Sequence, residues 1–370
     1  MRAHTRIEDI ADHLRRQILS GRLAPGAQLP TRVQLEREFS ASTITVQRAL
    51  ERLAAEEFVR AQRRNGTFVV DRPPHLYRAG LVFPSRPSHS RPWSRFMTSL
   101  REIVADEIWA PRKIVSFYGG GGHADSEDFL ELSANVRSRR LAGLIYAYEA
   151  EDLADTMLFE DAVVRDVPRV FISAEASLEP RVQLDGWSFH TRAMEYLRQR
   201  GRQRVAVLFS SEVDPGGDWP ARVQAEIARQ GLHTCRQWLH GVDKLRPGWT
   251  ASLVQLLCSG PASERPDALV INDDNIVEYA TAGLVAAGVR VPEDLDVVAH
   301  CNFPWPTPSA MPLVRLGFDV RQVMRACLDA LEAGRLEQTP PGVTEIGAVF
   351  ESEINGGSGD LPHATRSSHV

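Results

Sequence analysis

Short, continuous apolar runs separated by amphipathic stretches constrain the fold of this 370-residue chain more than any other feature. The first set reads RAGLVF (78–83), KIVSFY (113–118), LAGLIYA (141–147) and PRVFIS (168–173). The second reads QRVAVLFS (203–210), DALVIN (267–272) and DLDVVAH (294–300). A strand that alternates polar and apolar residues keeps one face in water, whereas a run that is apolar throughout must be covered on both faces. Crossover helices supply that cover, so these runs predict parallel sheets in an α/β fold. Two sets predict two lobes with a cleft between them. Ligands of open parallel sheets bind beyond the C-terminal strand ends, so the loops there are the candidate binding residues.

The N-terminal segment follows a different rule. Residues 1–72 carry 13 arginines against nine acidic side chains, a net charge of +4, while the whole chain is at −5 and the remainder therefore at −9. A basic head on an acidic body predicts a polyanion partner for the head alone. Ile7, Ile10, Ala11, Leu14 and Ile18 recur at helical spacing up to Gly21. Thr31 can cap a second helix whose apolar residues are Val33, Leu35 and Phe39, and Ser40 and Ala41 make a turn. Ser42 then caps a third helix with Val46, Ala49, Leu50 and Leu53 on one face. FVRAQRRNGTFVV reads as a hairpin, and three helices plus a hairpin make a winged helix-turn-helix.

The third helix opens with Thr43, Ile44 and Thr45, stiff β-branched residues that lose side-chain freedom in a helix. A helix-turn-helix explains them. The N-terminal turn of its second helix meets base edges in the major groove, where short polar side chains fit. Candidate DNA contacts are Thr31, Arg32, Ser42, Thr43, Ile44, Thr45, Gln47 and Arg48 on the helices, and Arg63, Arg64 and Gly66 on the wing. Hydroxyls reach phosphates or bases, glutamine pairs with adenine and Ile44 can touch a thymine methyl.

IADHLRRQILSGRLAPGAQLPTRVQLEREFSASTITVQRALERLAAEEFVRAQRRNGTFV resembles the DNA-binding domain of GntR-family transcription regulators along its whole length, through GRLAPGAQLP, TVQRALERL and GTFV. Three positions depart from that pattern: Val33, Thr43 and Gln47 stand where the family commonly has arginine. The resemblance therefore implies the fold and not the operator sequence.

After a proline-containing linker at 71–77, residues 78–353 resemble the effector domain of the LacI/GalR family, built like a periplasmic sugar-binding protein. DGWSFHTRAMEYLRQRGRQRVAVLF and RPDALVINDDNIVEYATAGLVAAGVRVPEDLDVVAH carry that likeness. A GntR head on such a body looks like the arabinose-repressor type of regulator. Residues 354–370 read as a disordered tail.

The resemblance implies a homodimer on pseudo-palindromic double-stranded DNA, with a sugar or sugar derivative as effector. It implies effector contacts at Asn272, Trp249 and Trp93; Trp219 stands where an arginine grips the sugar, and Cys301, followed by Asn302, stands where an aspartate is expected. Ser85, Ser173 and Asp273, also at strand ends, complete the candidate set. Two charged sugar ligands are thus replaced. Either the ligand is less polar than a free sugar, or the site is rebuilt, or the pocket is vestigial and a protein partner controls the regulator.

Enzymatic readings fare worse. FYGGGGHADSED (117–128) lacks the GK[ST] ending of a phosphate-binding loop. A GntR head joined to an aminotransferase-like body would need a Schiff-base lysine, and Lys113 and Lys244 sit in no pocket motif. His123, Asp125 and Glu127 read as a solvated loop, and Cys235, Cys258, Cys301 and Cys327 form no ligand pattern, so no metal and no cofactor are expected. No apolar run approaches the roughly 18 residues of a membrane helix, and MRAHTRIEDIADHLRR has no signal-peptide pattern, so the cytoplasm is the expected compartment. The expected function is repression of genes for carbohydrate uptake or catabolism, relieved or enforced when effector binding in the cleft changes operator affinity.

Overall fold

A computed structural model describes residues 2–84, 86–87, 93–105, 107–118, 126–147, 167–210, 218–243, 246–336 and 342–355. Ser85, His123, Asp125, Lys244, most of the glycine-rich loop and nearly all of the tail lie outside the described residues. The chain divides into two compact units, one of residues 1–86, 104–181 and 327–342, the other of residues 87–103, 182–326 and 343–370.

The first unit begins with α1 (Arg2–Leu19), α2 (Arg32–Phe39) and α3 (Thr43–Ala55). Thr31 and Gln34 form a reciprocal capping box on α2, and Ser42 caps α3 by accepting from the Thr45 amide at 3.2 Å. Ile10, Leu14, Leu35, Val46, Leu53 and Phe58 close the head's core. Val33 stays outside that core and is 54% exposed, because Leu35 and Phe39, four apart, already fill the inward face of a two-turn helix. Strands β1 (Val59–Gln62) and β2 (Gly66–Val69) pair antiparallel as the wing. Gly66 holds φ +109, and a Cβ there would lie 2.7 Å from Gln28 Nε2, which is tied to the Asn65 carbonyl at 2.8 Å. The wing tip is therefore braced against the segment before α2.

Residues 71–77 are packed rather than loosely extended. They include a 3₁₀ turn, Pro74–Leu76, and the His75 ring stacks on Phe58 with centroids 5.9 Å apart. Burial, aided by the charge of Arg335, lowers the His75 pKa to about 4. The Arg78 guanidinium donates to both Glu57 oxygens at 2.9 and 2.8 Å, and this holds the Glu57 carboxyl below its usual range. The head is thus tied to β3 (Arg78–Val82), the first strand of the body.

With β4 (Lys113–Phe117), β5 (Gly143–Ala147) and β6 (Arg169–Ile172), β3 forms parallel pairs in the order β6-β5-β3-β4. Helix α5 (Glu127–Arg137) covers them through Leu132 and Val136. In the second unit, α4 (Arg95–Ile103) and β7 (Arg181–Asp185) precede α6 (Gly186–Gln199). A six-stranded sheet follows: β8 (Val205–Ser210), β9 (Leu239–Val242), β10 (Ala268–Ile271), β11 (Asp296–Phe303), β12 (Val314–Asp319) and, after β13 (Val343–Gly347), β14 (Val349–Phe350). Its order is β14-β12-β11-β10-β8-β9, parallel except for β14. Helices α7 (Trp219–Arg229), α8 (Trp249–Leu257), α9 (Val277–Ala286) and α10 (Val320–Arg335) complete the order, with α11 (Glu351–Asn355) last. All seven apolar runs form strands. The five strands that the pattern missed are β7, β9, β12, β13 and β14; β9, β13 and β14 end a sheet, and β9 and β13 carry polar and glycine residues while β14 is only two residues long.

Candidate functional site

Two surfaces gather the candidate residues, one in each unit. On the head, Thr43, Ile44 and Arg48 are exposed along the N-terminal half of α3, and with Arg32, Gln47 and Glu51 they line a groove of about 400 Å³. A second groove of about 610 Å³ runs from Arg32 to the wing residues Arg63, Arg64 and Gly66. Arg15, Arg52 and Arg60 are engaged in ion pairs with Glu56, Glu8 and Asp71. Arg32, Arg48, Arg63 and Arg64 are exposed with no acidic partner among the described residues, which leaves them available to an external anion. Thr31 and Ser42 use their hydroxyls as helix caps, and Thr45 shares its hydroxyl with Ser42 at 2.9 Å. They order the turn from which Thr43 and Ile44 project.

In the second unit, the parallel strands bring their C-terminal ends to one edge of the sheet. Side chains alternate along β11, so His300 and Asn302 share one face while Ala299 packs on the other with Leu269 and Ile271. In the loop after β10, Asp274 accepts from Asn302 Nδ2 at 2.7 Å, and its other oxygen lies 3.9 Å from His300 Nδ1. The His300 ring meets Phe318 of β12 and Phe189 of α6 at 5.5 and 5.6 Å. Phe189 in turn meets His190 at 5.5 Å, His190 meets Trp219 at 5.1 Å, and Trp219 lies against Phe209 at 3.9 Å. Asp185 caps α6, and Ser188 accepts from the Ala348 amide at 2.8 Å; these contacts fix the turn that carries Phe189 and His190.

Burial governs the charges here. It lowers the pKa of both His190 and His300 to about 4, so both imidazoles are neutral at pH 7. Burial, reinforced by the Asp273 carboxylate and opposed by the Asn302 hydrogen bond and the charge of Arg95, raises Asp274 to about 7. His190 Nδ1, His300 Nδ1, Asn302 Oδ1 and Ser210 Oγ are buried without a hydrogen-bond partner among the described residues. Each such group costs about 1–3 kcal/mol until a ligand or water satisfies it. Neutral imidazoles that can donate or accept, an amide oxygen and a carboxyl, set among aromatic rings, match a hydroxylated ligand with an apolar face.

The ionised form of Asp274 is disfavoured in the fold, so stability falls as pH rises from the ordinary carboxylate range through 7 and stays low above it. Asp274→Asn removes that penalty. Thermal melts are expected to show the variant more stable than the parent at pH 8–9 by up to roughly 3–4 kcal/mol, with the difference vanishing near pH 4. A difference independent of pH would contradict the burial of this carboxyl.

The candidate effector residues are not all brought together. Asn302 and Trp219 belong to the buried string, and Asn272 and Asp273 sit half-buried at its edge, with Asp273 accepting from Asn275. Cys301 is fully buried, its thiol raised to about 11 by burial, on the opposite side of β11 from His300 and Asn302. Trp249 is 76% exposed at the start of α8. Trp93 is half-buried with Arg101 over its ring at 5.9 Å, and Ser173 is in the first unit, its hydroxyl accepting from the Glu175 amide at 3.0 Å. His190, Ser210, Asp274 and His300 went unnoticed in the sequence. The available signal was a histidine inside an apolar strand end, DVVAHCNF, and another in the first turns of a helix, GWSFH.

Comparison with known proteins matches two separate segments of the chain. Residues 6–69 match the bacterial regulatory proteins of the gntR family, and residues 194–348 match a periplasmic binding protein-like domain. The mannosyl-D-glycerate transport/metabolism system repressor MngR of Escherichia coli (strain K12) is 42% identical over 60 residues, 16% of this chain. The chain spans only 25% of that relative's length. A regulatory protein of the LacI family from Chloroflexus aggregans superposes with a TM-score of 0.56 at 17% identity, over 74% of this chain and 96% of its own. A LacI family transcriptional regulator from Lactobacillus casei with bound sucrose does so with a TM-score of 0.51 at 20% identity, over 74% and 98%. At these identities the structures show a shared fold. Among the described residues no helix is long and apolar enough to cross a membrane.

Proposed function

We propose that this chain, a GntR-family DNA-binding head joined to a periplasmic-binding-protein-like body, is a ligand-responsive repressor of carbohydrate uptake or catabolism genes. The observation that carries the reading is the pairing of an exposed recognition face with a buried polar string in one polypeptide. Thr43, Ile44, Gln47 and Arg48 suit the major groove, with Arg63 and Arg64 on the flanking backbone. His190, Asp274, His300 and Asn302 suit a sugar or sugar derivative, which would change operator affinity when bound. The protein works in the cytoplasm, without a cofactor and without catalysis.

A pseudo-palindromic operator calls for a dimer. α8 and α9 offer the surface. Leu256 is 70% exposed, Trp249 and Val285 are also exposed, α8 carries no charged residue and α9 only Glu278. The two helices are in close contact, since a Cβ on Gly283 would lie 2.6 Å from the Ala251 carbonyl oxygen. An apolar, nearly uncharged face can meet its own copy about a two-fold axis without like-charge repulsion.

Selection of bound fragments from the source genome, at near-physiological salt, tests the reading. Enrichment of a palindrome beside transport or catabolic genes is expected, and Arg64→Ala is expected to weaken binding evenly across sequences and flatten the salt slope by about one. Enrichment of nothing would sink the assignment. The effector is sought with a panel of neutral mono- and disaccharides that includes glucose and sucrose. Silence to every sugar, glycoside and oligosaccharide would favour a vestigial pocket under the control of a protein partner.

A further inference from the structure

We infer that the recognition helix reads an adenine, through a Gln47 amide oriented by Glu51, beside a thymine whose methyl group packs on Ile44. This rests on the reading that the head binds DNA and adds what the bound base pairs must be: A·T pairs in each half-site, where a groove reader built on arginine would select guanine.

Three observations carry it. Gln47 Nε2 donates to Glu51 Oε1 at 2.7 Å. Only the NH2 end of an amide can donate to a carboxylate, so this contact fixes which way the amide faces. One N–H of Gln47 is thereby used and one remains. Gln47 Oε1 is buried and accepts no hydrogen bond among the described residues; pivoting the amide about its Nε2 contact with Glu51 turns that oxygen out to a donor in the groove and satisfies it. The amide therefore offers one donor and one unused acceptor. Adenine presents the complementary pair in the major groove, N7 as acceptor and N6–H as donor. Guanine presents two acceptors, O6 and N7, which leave the Gln47 oxygen unsatisfied and face the Glu51 carboxylate.

Ile44 supplies the third observation. It is 68% exposed on the wall of the same groove, and with Val33 it is one of only two large apolar side chains exposed on the described part of the head. Exposed apolar surface on the base-reading turn is satisfied by the one apolar group of the major groove, the thymine methyl. The arginines that line the groove, Arg32 and Arg48, flank it from α2 and from the adjacent turn of α3 and remain available for phosphates.

Glu51 is on this account a positioning residue. Removing its charge would strengthen binding to all DNA if the side chain were merely solvated. As an orienting group its loss frees the amide to flip, and the preference for adenine over guanine falls.

The test is selection from a random duplex pool by the full-length protein, followed by affinity measurements on the winning site. Expected are an adenine and a neighbouring thymine in each half-site, with adenine-to-guanine exchange costing about 5- to 150-fold. Glu51→Ala should reduce that ratio without lowering affinity for the guanine site. Replacing the thymine with deoxyuridine, which lacks only the methyl, should cost the parent protein about 3- to 4-fold and Ile44→Ala nothing further. Guanine at the most strongly selected positions, or a parent protein indifferent to the methyl, would overturn this inference and leave the DNA-binding assignment standing. Retention of no sequence at all would overturn the assignment and the inference together.

Discussion

For the dimer proposed above, Leu256→Glu is expected to give a monomer and to weaken operator binding by about 10²–10⁴-fold, the loss that accompanies a change from two-site to one-site engagement. Leu256 lies 70% exposed on a helix with no charge of its own, so in the proposed dimer the substitution sets a carboxylate on each side of the interface with no cation on α8 to pair with it. Folding is expected to be unaffected, because the side chain is already in water in the single chain. Sedimentation equilibrium and binding to full and half operators check it. A variant that stays dimeric would place the partner surface elsewhere than on α8 and α9.

Trp219→Ala is expected to destabilise the second unit by about 3–5 kcal/mol. Trp219 is 7% exposed, stacked within 3.9 Å of Phe209 and 5.1 Å from His190, so truncation opens a cavity between α7 and the end of β8. The head's core is made by its own residues, from Ile10 to Val69, so the isolated thermal transition of the head should keep its midpoint. Trp219→Phe keeps an aromatic ring against Phe209 and His190 and should restore most of the stability. Calorimetry of the three proteins decides, and an unchanged melt for Trp219→Ala would contradict the packing described here.

Much of the fold was legible because burial writes itself into sequence where both faces of an element are covered. Val205–Ser210 and Ala268–Ile271 are buried at every position, and both were visible as unbroken apolar runs. Leu239–Val242 is not so covered; it ends its sheet, includes His240 and Gly241, and gives no such signal. Val33 shows that apolar type alone does not mean burial, since in a two-turn helix an apolar residue need not face inward. The head's recognition face was readable because its residues are contiguous and the β-branched run at 43–46 conflicts with helix propensity. The string in the second unit was only partly readable. It draws Phe189 and His190 from one helix, Trp219 from another, Asp274 from a loop and His300 and Asn302 from a strand, and chemistry assembled from four separate segments leaves no local pattern. Trp249 and Cys301 show the complementary limit: the family resemblance put both among the candidate effector positions, while Trp249 is exposed on α8 and strand alternation puts Cys301 on the opposite side of β11 from His300 and Asn302.

Titration of the full-length protein, bound to its selected operator, with the panel of neutral saccharides asks whether effector binding and operator affinity are coupled, with tryptophan emission and operator affinity read on the same samples. One saccharide is expected to perturb the emission and, over the same concentration range, to change operator affinity by about 5- to 150-fold, the usual span of coupling between two sites. A saccharide that binds and leaves operator affinity unchanged would contradict it.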